Sequence, residues 1–255
     1  WLLQNGLTQT HQNNMGAFGG PDIVTDGLAL ALDAGSTRSY SGSGTTFNDL
    51  SSNGVVATIS DFTYSSAYGG VLSNSAAGTG AKGISVPLTD FPKTSGSLGI
   101  WARPTSWYQS NGLFVNQNDD VANADDWFWL GPYGSGSILY FRLGNQVQLS
   151  YCCANDNTVS SWSSVHALNT WGYYLVTWDS GNESKIYFNG VLLSTKSITA
   201  IPNTNPSTNG RIGLGHTNSN SMWLGQIGST RWYNVVLSAD EILQNYNAQK
   251  SRFGL

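Results

Sequence analysis

The stretch from Trp171 to Ser194, WGYYLVTWDSGNESKIYFNGVLLS, most constrains what this chain can fold into. Trp171 to Trp178 is dense in aromatic and β-branched residues, and Ile186 to Phe188 is a second apolar run. Asp179-Ser180-Gly181-Asn182 lies between them. Gly and Asn there tolerate positive φ, and the short polar side chains cap their own backbone. Asn189-Gly190 follows, the dipeptide favoured in type I′ hairpins, and Val191 to Ser194 resumes an extended pattern. The spacing predicts a three-stranded antiparallel meander.

The rest of the composition agrees with β structure. The 255 residues include ten Trp, twelve Tyr and nine Phe, but only 10% are charged, against roughly 25% in average soluble domains. Polarity comes from Asn, Ser, Thr and Gly, which favour turns and strand faces over helices. A net charge of −4 with eleven scattered basic residues gives no basic cluster for a phosphate backbone, which argues against nucleic acid as a partner. No apolar run approaches 18 residues, so no membrane span is predicted. The start lacks the basic and apolar regions of a signal peptide, and its lack of an initial Met suggests a fragment or a processed form. Cys152 and Cys153 are adjacent; a disulfide between them would be strained and no spaced zinc partners exist, so they read as free thiols.

Taken in order, residues 1–24 are mostly Gln, Asn, Thr and Gly and read as an extended arm or linker, with the folded domain at 25–255. Leu28, Leu30 and Leu32 fall on one face at period two. Short strands are expected at 55–59, 62–65, 70–73 and 82–86, and a longer one over Ser97 to Arg103 is ended by Pro104, which has no N–H for a ladder. Further strands are expected at 112–117, 126–130, 137–143, 146–151, through the meander, and at 209–214 and 222–236. Ser238 with Glu241 three residues later makes a capping box, so a helix is expected over 238–248, the only substantial one. Many short strands at near-regular spacing indicate a single all-β sandwich or jelly roll.

Several segments, in order, resemble one family. They are Gly27 to Ala34 with Tyr40, Gly42 to Thr46 and Asp49-Leu50-Ser51; Leu98 to Pro104, ending W-x-R-P; Asn169-Thr170-Trp171; and Tyr187-Phe188-Asn189-Gly190. Arg211-Ile212-Gly213, Gly225 to Gly228, Leu237 to Ile242, Gln244 to Ala248 and Lys250 to Leu255 continue the series. Together they are similar to concanavalin A-like (laminin-G-like) domains of bacteriophage structural proteins, over residues 24 to 255. The resemblance implies two facing antiparallel sheets with a concave face, and a setting on the virion surface as a tail fibre, tailspike, head fibre or capsid-surface protein. It implies other virion proteins as partners, a homo-oligomer (a trimer among the options) and a host cell-surface glycan as a candidate ligand. The alternatives are a carbohydrate-binding module of a secreted, extracellular bacterial protein and, least supported, a glycoside hydrolase.

Glycoside hydrolysis needs two carboxylates flanking the scissile bond. Hydrolases that this chain resembles in architecture carry E-x-D-x-E on one strand. The only glutamates here are Glu183, in the hairpin, and Glu241, in the capping box, so a non-enzymatic protein is expected. His11, His166 and His216 sit in polar contexts without a G-x-S-x-G elbow, and each reads as a solvated loop residue. Calcium is the one cofactor candidate: Asp119, Asp120, Asp125 and Asp126 form the acidic cluster of the chain, and calcium takes six to eight oxygen ligands. The superfamily that the chain resembles often holds calcium in rim loops; a solvated acidic loop is the alternative. Trp107, Tyr108, Trp127, Trp129 and Tyr133 lie among Asn, Asp and Gln, the combination of flat apolar faces and hydroxyl-reading groups that carbohydrate sites use. The alternative for these rings is packing. Trp101, Trp171 and Trp178 read as core.

Overall fold

The computed structural model describes residues 20–74, 83–88, 94–107, 112–116, 128–143, 155–200, 209–214 and 222–255. Sixteen strands are described: β1 (Leu28–Asp33), β2 (Thr46–Asn48), β3 (Val56–Ser60), β4 (Thr63–Ser65), β5 (Val71–Asn74), β6 (Gly83–Pro87), β7 (Ser95–Pro104) and β8 (Phe114–Asn116). The others are β9 (Phe128–Tyr133), β10 (Ile138–Leu143), β11 (Asn157–Ser160), β12 (Gly172–Asp179), β13 (Glu183–Phe188), β14 (Val191–Ser197), β15 (Asn209–Ile212) and β16 (Gly225–Tyr233). They form two sheets in which every pairing between these strands is antiparallel. The first runs β14-β13-β12-β7-β16-β5-β4, with β1 also on β16; the second runs β11-β10-β9-β8-β15-β6-β3-β2.

The expected meander is present. β12 pairs β13 with Asp179 opposite Glu183, and β13 pairs β14. Asn189 and Gly190 both take positive φ, 51° and 81°, as a type I′ turn requires. The expected strand at 146–151 lies outside the described residues, as do Cys152, Cys153, His11 and His216.

Between the sheets, Leu98, Ile100 and Ala102 of β7 meet Phe114, Phe128, Phe141, Trp178 and Trp232 in one buried cluster. Phe128 is its hub, with Phe141 and Trp178 each at 5.0 Å edge-on and Trp232 at 5.7 Å. Edge-to-face contacts match the positive rim of one ring to the negative face of the next.

Trp101, on the other side of β7, belongs to a second cluster. There α2 (Ala239–Gln249) and a 3₁₀ turn at Lys250–Phe253 cover the outer face of the first sheet. Trp101 stacks on Tyr173 at 5.1 Å and on Phe253 at 4.5 Å. The molecule therefore has three layers: tail, first sheet and second sheet. The capping box is as expected. Ser238 Oγ accepts from the Glu241 N–H, and Glu241 accepts from the Ser238 N–H at 2.8 Å. A second helical turn, α1 (Trp162–Val165), is too short for the sequence periodicity to show.

Two polar clasps fix the layers. Arg252 reaches Asp33 of β1 at 2.7 Å and donates to the Gly70 carbonyl at 2.6 Å, tying the chain's end to its first strand. At the sandwich edge, buried Asn157 donates to the Ser184 carbonyl at 2.9 Å and accepts from Ser194 at 2.6 Å, joining β11 to β13 and β14 of the other sheet. Of the expected arm, residues 20–24 lie along α2. The Val24 N–H donates to Asn245 Oδ1 at 2.9 Å, and Tyr233 donates to the Val24 carbonyl.

One sequence expectation is overturned. His166 is not a solvated loop residue: it is 2% exposed. It sits beside Trp162, Trp107 and Phe188. A histidine flanked by Val165 and Ala167 shows no periodic signal, and its burial is completed by Trp107 and Phe188, which the sequence does not place beside it.

Candidate functional site

Alternation along β9 and β10 builds the candidate surface. Phe128 and Leu130 face the core with Leu139, Phe141 and Leu143. The intervening residues therefore point outward: Trp129, Gly131 and Tyr133 on β9, and Ile138, Tyr140 and Arg142 on β10. The register places Tyr140 opposite Gly131, with Arg142 opposite Trp129 and Ile138 opposite Tyr133. Because Gly131 has no side chain, the Tyr140 ring lies between two diagonal neighbours, the arrangement in which aromatic rings still reach each other across strands. Its centroid is 6.2 Å from Trp129 and 5.7 Å from Tyr133, the latter at 86°.

A charged pair borders the rings. Arg142 grips Asp156 in a two-pronged contact, Nε to Oδ1 at 3.1 Å and Nη2 to Oδ2 at 2.9 Å. Its guanidinium also stands 5.6 Å from the centre of the Tyr140 ring. A bidentate, partly buried pair of this kind holds both side chains in one geometry. Tyr133 is 51% exposed and Tyr140 is half-buried, whereas Trp129 is 6% exposed and forms the base of the group. Chemically this is a shelf of aromatic faces edged by one donor and one acceptor group, suited to a ring with apolar faces and polar edges.

Of the rings singled out in the sequence, Trp129 and Tyr133 are on this shelf. Trp107 is not: it packs under the 134–137 turn, where a Cβ on Gly136 would come within 2.7 Å of it, and it meets His166 and Trp223. Tyr108 and Trp127 lie outside the described residues, as do Asp119, Asp120, Asp125 and Asp126. Sequence reasoning missed Tyr140, Arg142 and Asp156. The alternation Ile138-Tyr140-Arg142 was a usable signal for the first two. Nothing in the sequence placed Asp156 beside them.

Other chemistry is sparse. Among the described residues no group of three or more His, Cys, Asp or Glu could hold a metal ion, and no helix is long and apolar enough to cross a membrane. Glu183 is paired with Lys185 and Glu241 serves the helix cap. The His166 Nε2–H donates to the Thr170 carbonyl at 2.9 Å, leaving Nδ1 to accept from the Tyr174 hydroxyl at 2.6 Å. Burial lowers its pKa from 6.5 to about 4, partly opposed by the Thr170 bond, so the ring is neutral and structural at pH 7.

Comparison with known proteins places the fold. A family model, Laminin_G_3 of the concanavalin A-like lectin/glucanases superfamily, matches residues 77–243. No curated protein matches the sequence. Among solved structures, the botulinum neurotoxin serotype D binding domain is similar at 16% identity and a TM-score of 0.64, over 89% of this chain and 53% of that one. The binding domain of botulinum neurotoxin DC in complex with SialylT is similar at 16% identity and 0.65, over 89% of this chain and 52% of that one. Domain 4 of AbnA, an extracellular GH43 arabinanase from Geobacillus stearothermophilus, in complex with arabinotriose, is similar at 14% identity and 0.62, over 88% of this chain and all of that one. The chain spans about half the length of the neurotoxin domains it matches. At these identities the likeness is one of fold.

Proposed function

The chain belongs to the concanavalin A-like lectin/glucanases superfamily, and from that premise we propose that it is a non-catalytic recognition domain. Its shelf at Tyr133, Tyr140 and Arg142 takes a host-surface glycan. The observation that carries this reading is the ring group over Gly131, with two tyrosines reaching solvent and an anchored Arg142–Asp156 pair at their edge. Similar solved structures support it: a neurotoxin binding domain in complex with SialylT and domain 4 of an arabinanase in complex with arabinotriose. The sequence resemblance at Leu28–Asp33, Leu98–Pro104 and Lys250–Leu255 supports a place on a phage particle, as a surface or fibre protein that contacts other virion proteins and further copies of itself.

Glycan-array screening of the full chain tests the binding reading. At least one glycan should bind, and Tyr140→Ala and Tyr133→Ala should each weaken it about tenfold, the worth of one ring contact of roughly 1.4 kcal/mol. A bound glycan indifferent to both substitutions would remove the shelf from the account. For the virion setting, mass spectrometry and immunogold labelling of purified particles should find the chain on the surface; its absence from particles would sink that part alone.

A further inference from the structure

At the end of the first sheet that the C-terminal tail leaves open, the register lines up one outward-facing row across four strands. Thr63 of β4 stands opposite Ser73 of β5, Ser73 opposite Gln226 of β16, and Gln226 opposite Arg103 of β7. Since Gly172 pairs with Ala102, Trp171 extends the row past Arg103. The row is wired in one direction: Arg103 Nη1 donates to Gln226 Oε1 at 3.2 Å, and Gln226 Nε2 donates to Ser73 Oγ at 3.2 Å. The Gln226 amide spends one N–H and one lone pair in this wiring, so the row offers a ligand the guanidinium at one side, the second amide N–H between, and hydroxyl protons at the other. Arg103 Nε also donates to the Asn169 carbonyl at 2.8 Å, so the guanidinium is held in place before any ligand arrives. No carboxylate pairs with it among the described residues. The other basic side chains ion-paired there each have one: Arg142 has Asp156, Lys185 has Glu183, and Arg231 and Arg252 share Asp33.

An aromatic ring borders this row. Tyr68 is 38% exposed and stands edge-on to Trp171 at 5.3 Å. Its backbone is left-handed, φ 53° and ψ 33°, an uncommon state for a tyrosine. The turn is locked there because Arg252 donates to the Tyr68 carbonyl at 2.7 Å and to the Gly70 carbonyl at 2.6 Å. Backbone held in such a conformation by its surroundings is a recurrent mark of functional sites. Segment 169–171 thus joins a positioned, unneutralised guanidinium to a presented ring.

We propose that this row is a second binding site, for a carboxylate-bearing sugar. Arg103 takes the carboxylate, Tyr68 packs a face or edge of the ring, and Ser73 and Thr63 donate to its oxygens. The site goes beyond the proposed function: it lies on the opposite sheet, prefers an anion, and stands or falls independently of the Tyr140 shelf. A fixed guanidinium fork suits a planar carboxylate better than any neutral hydroxyl does.

The test uses the full chain and a galacturonate trisaccharide as probe, with its uncharged methyl ester as control, by calorimetry at pH 7 and low salt. The acid should bind at least about tenfold tighter than the ester, as expected for one charge-assisted contact. Arg103→Gln should abolish that difference, and Arg103→Lys should retain part of it. Tyr68→Ala should weaken the acid further, while Tyr140→Ala should leave its binding unchanged. Equal affinity for acid and ester, no binding of either, or wild-type binding by Arg103→Gln would each overturn the proposal. If Arg103→Gln fails to fold, Tyr68→Ala at the exposed ring decides alone, and wild-type binding by that variant overturns it.

Discussion

His166 shows what burial does to a single side chain. Its ring is neutral in the folded state with a pKa of about 4, whereas the unfolded chain takes up a proton near 6.5. Between those values the unfolded state holds more protons, so stability falls as pH drops from 6.5 and levels off below about 4. At about 1.4 kcal/mol per pH unit this histidine alone removes roughly 3 kcal/mol across the window. Urea titrations at pH 7, 5.5 and 4 should show this slope, and His166→Gln should flatten it. A wild-type slope in that variant would assign the effect to other groups. Arg252 makes the opposite case, a buried charge that is paired. Its side chain is 2% exposed and contacts Asp33 at 2.7 Å. Arg252→Met should lower unfolding free energy by about 3 kcal/mol, because it strands a partly buried carboxylate. A loss under about 1 kcal/mol would mean that Arg231 and Gln249 suffice to hold Asp33. Neither residue's role was legible in the sequence. His166 looked like loop, and the partners of Arg252 lie more than 180 residues away.

At the scale of elements, local chemistry and observed structure agree closely, because turns and caps are decided within a few residues. Ser238→Ala removes the N-cap acceptor of α2 and should cost about 1 kcal/mol in thermal or chemical unfolding. Gly190→Ala should cost about 1 kcal/mol as well. It forces a Cβ into φ 81°, where the nearest atom is Leu243 Cδ1 at 3.0 Å. If both variants melt with the wild type, α2 and the hairpin are held by packing alone. Besides the short α1, the sequence did not reveal β11, Asn-Thr-Val-Ser, too short and too polar to show a hydrophobic period. Asn157 within it is buried by hydrogen bonds to β13 and β14, so its position depends on the other sheet.

For the whole molecule, residues 20–24, within the stretch that composition assigned to the arm, pack along α2. Removing residues 1–19 should leave the melting temperature within about 2 °C of wild type. Removing 1–24 deletes buried Val24 and its bonds to Asn245 and Tyr233, a loss of about 2 kcal/mol, or roughly 4–8 °C in a domain of this size. Equal melting of the two truncations would show that the strap along α2 contributes nothing. Self-association measured on the same pair by light scattering tests whether the arm has an assembly role.

The sequence by itself determined the class of fold, the meander with its two turns and the capped helix. Each of these is set by side-chain period or by backbone chemistry between near neighbours. Tertiary structure decided what faces solvent and in what company. Trp101 and Trp171 look equally core-like in sequence, yet both serve a third layer because α2 and Phe253 fold back over the first sheet. Trp129 and Tyr133, two of the five candidate rings, become a surface only when β10 sets Tyr140 over Gly131. Antiparallel register also placed Thr63, Ser73, Gln226 and Arg103, spread over 163 residues, in a single row. No period in the sequence encodes that, because it depends on which strands neighbour one another, and the packing of the whole chain settles this.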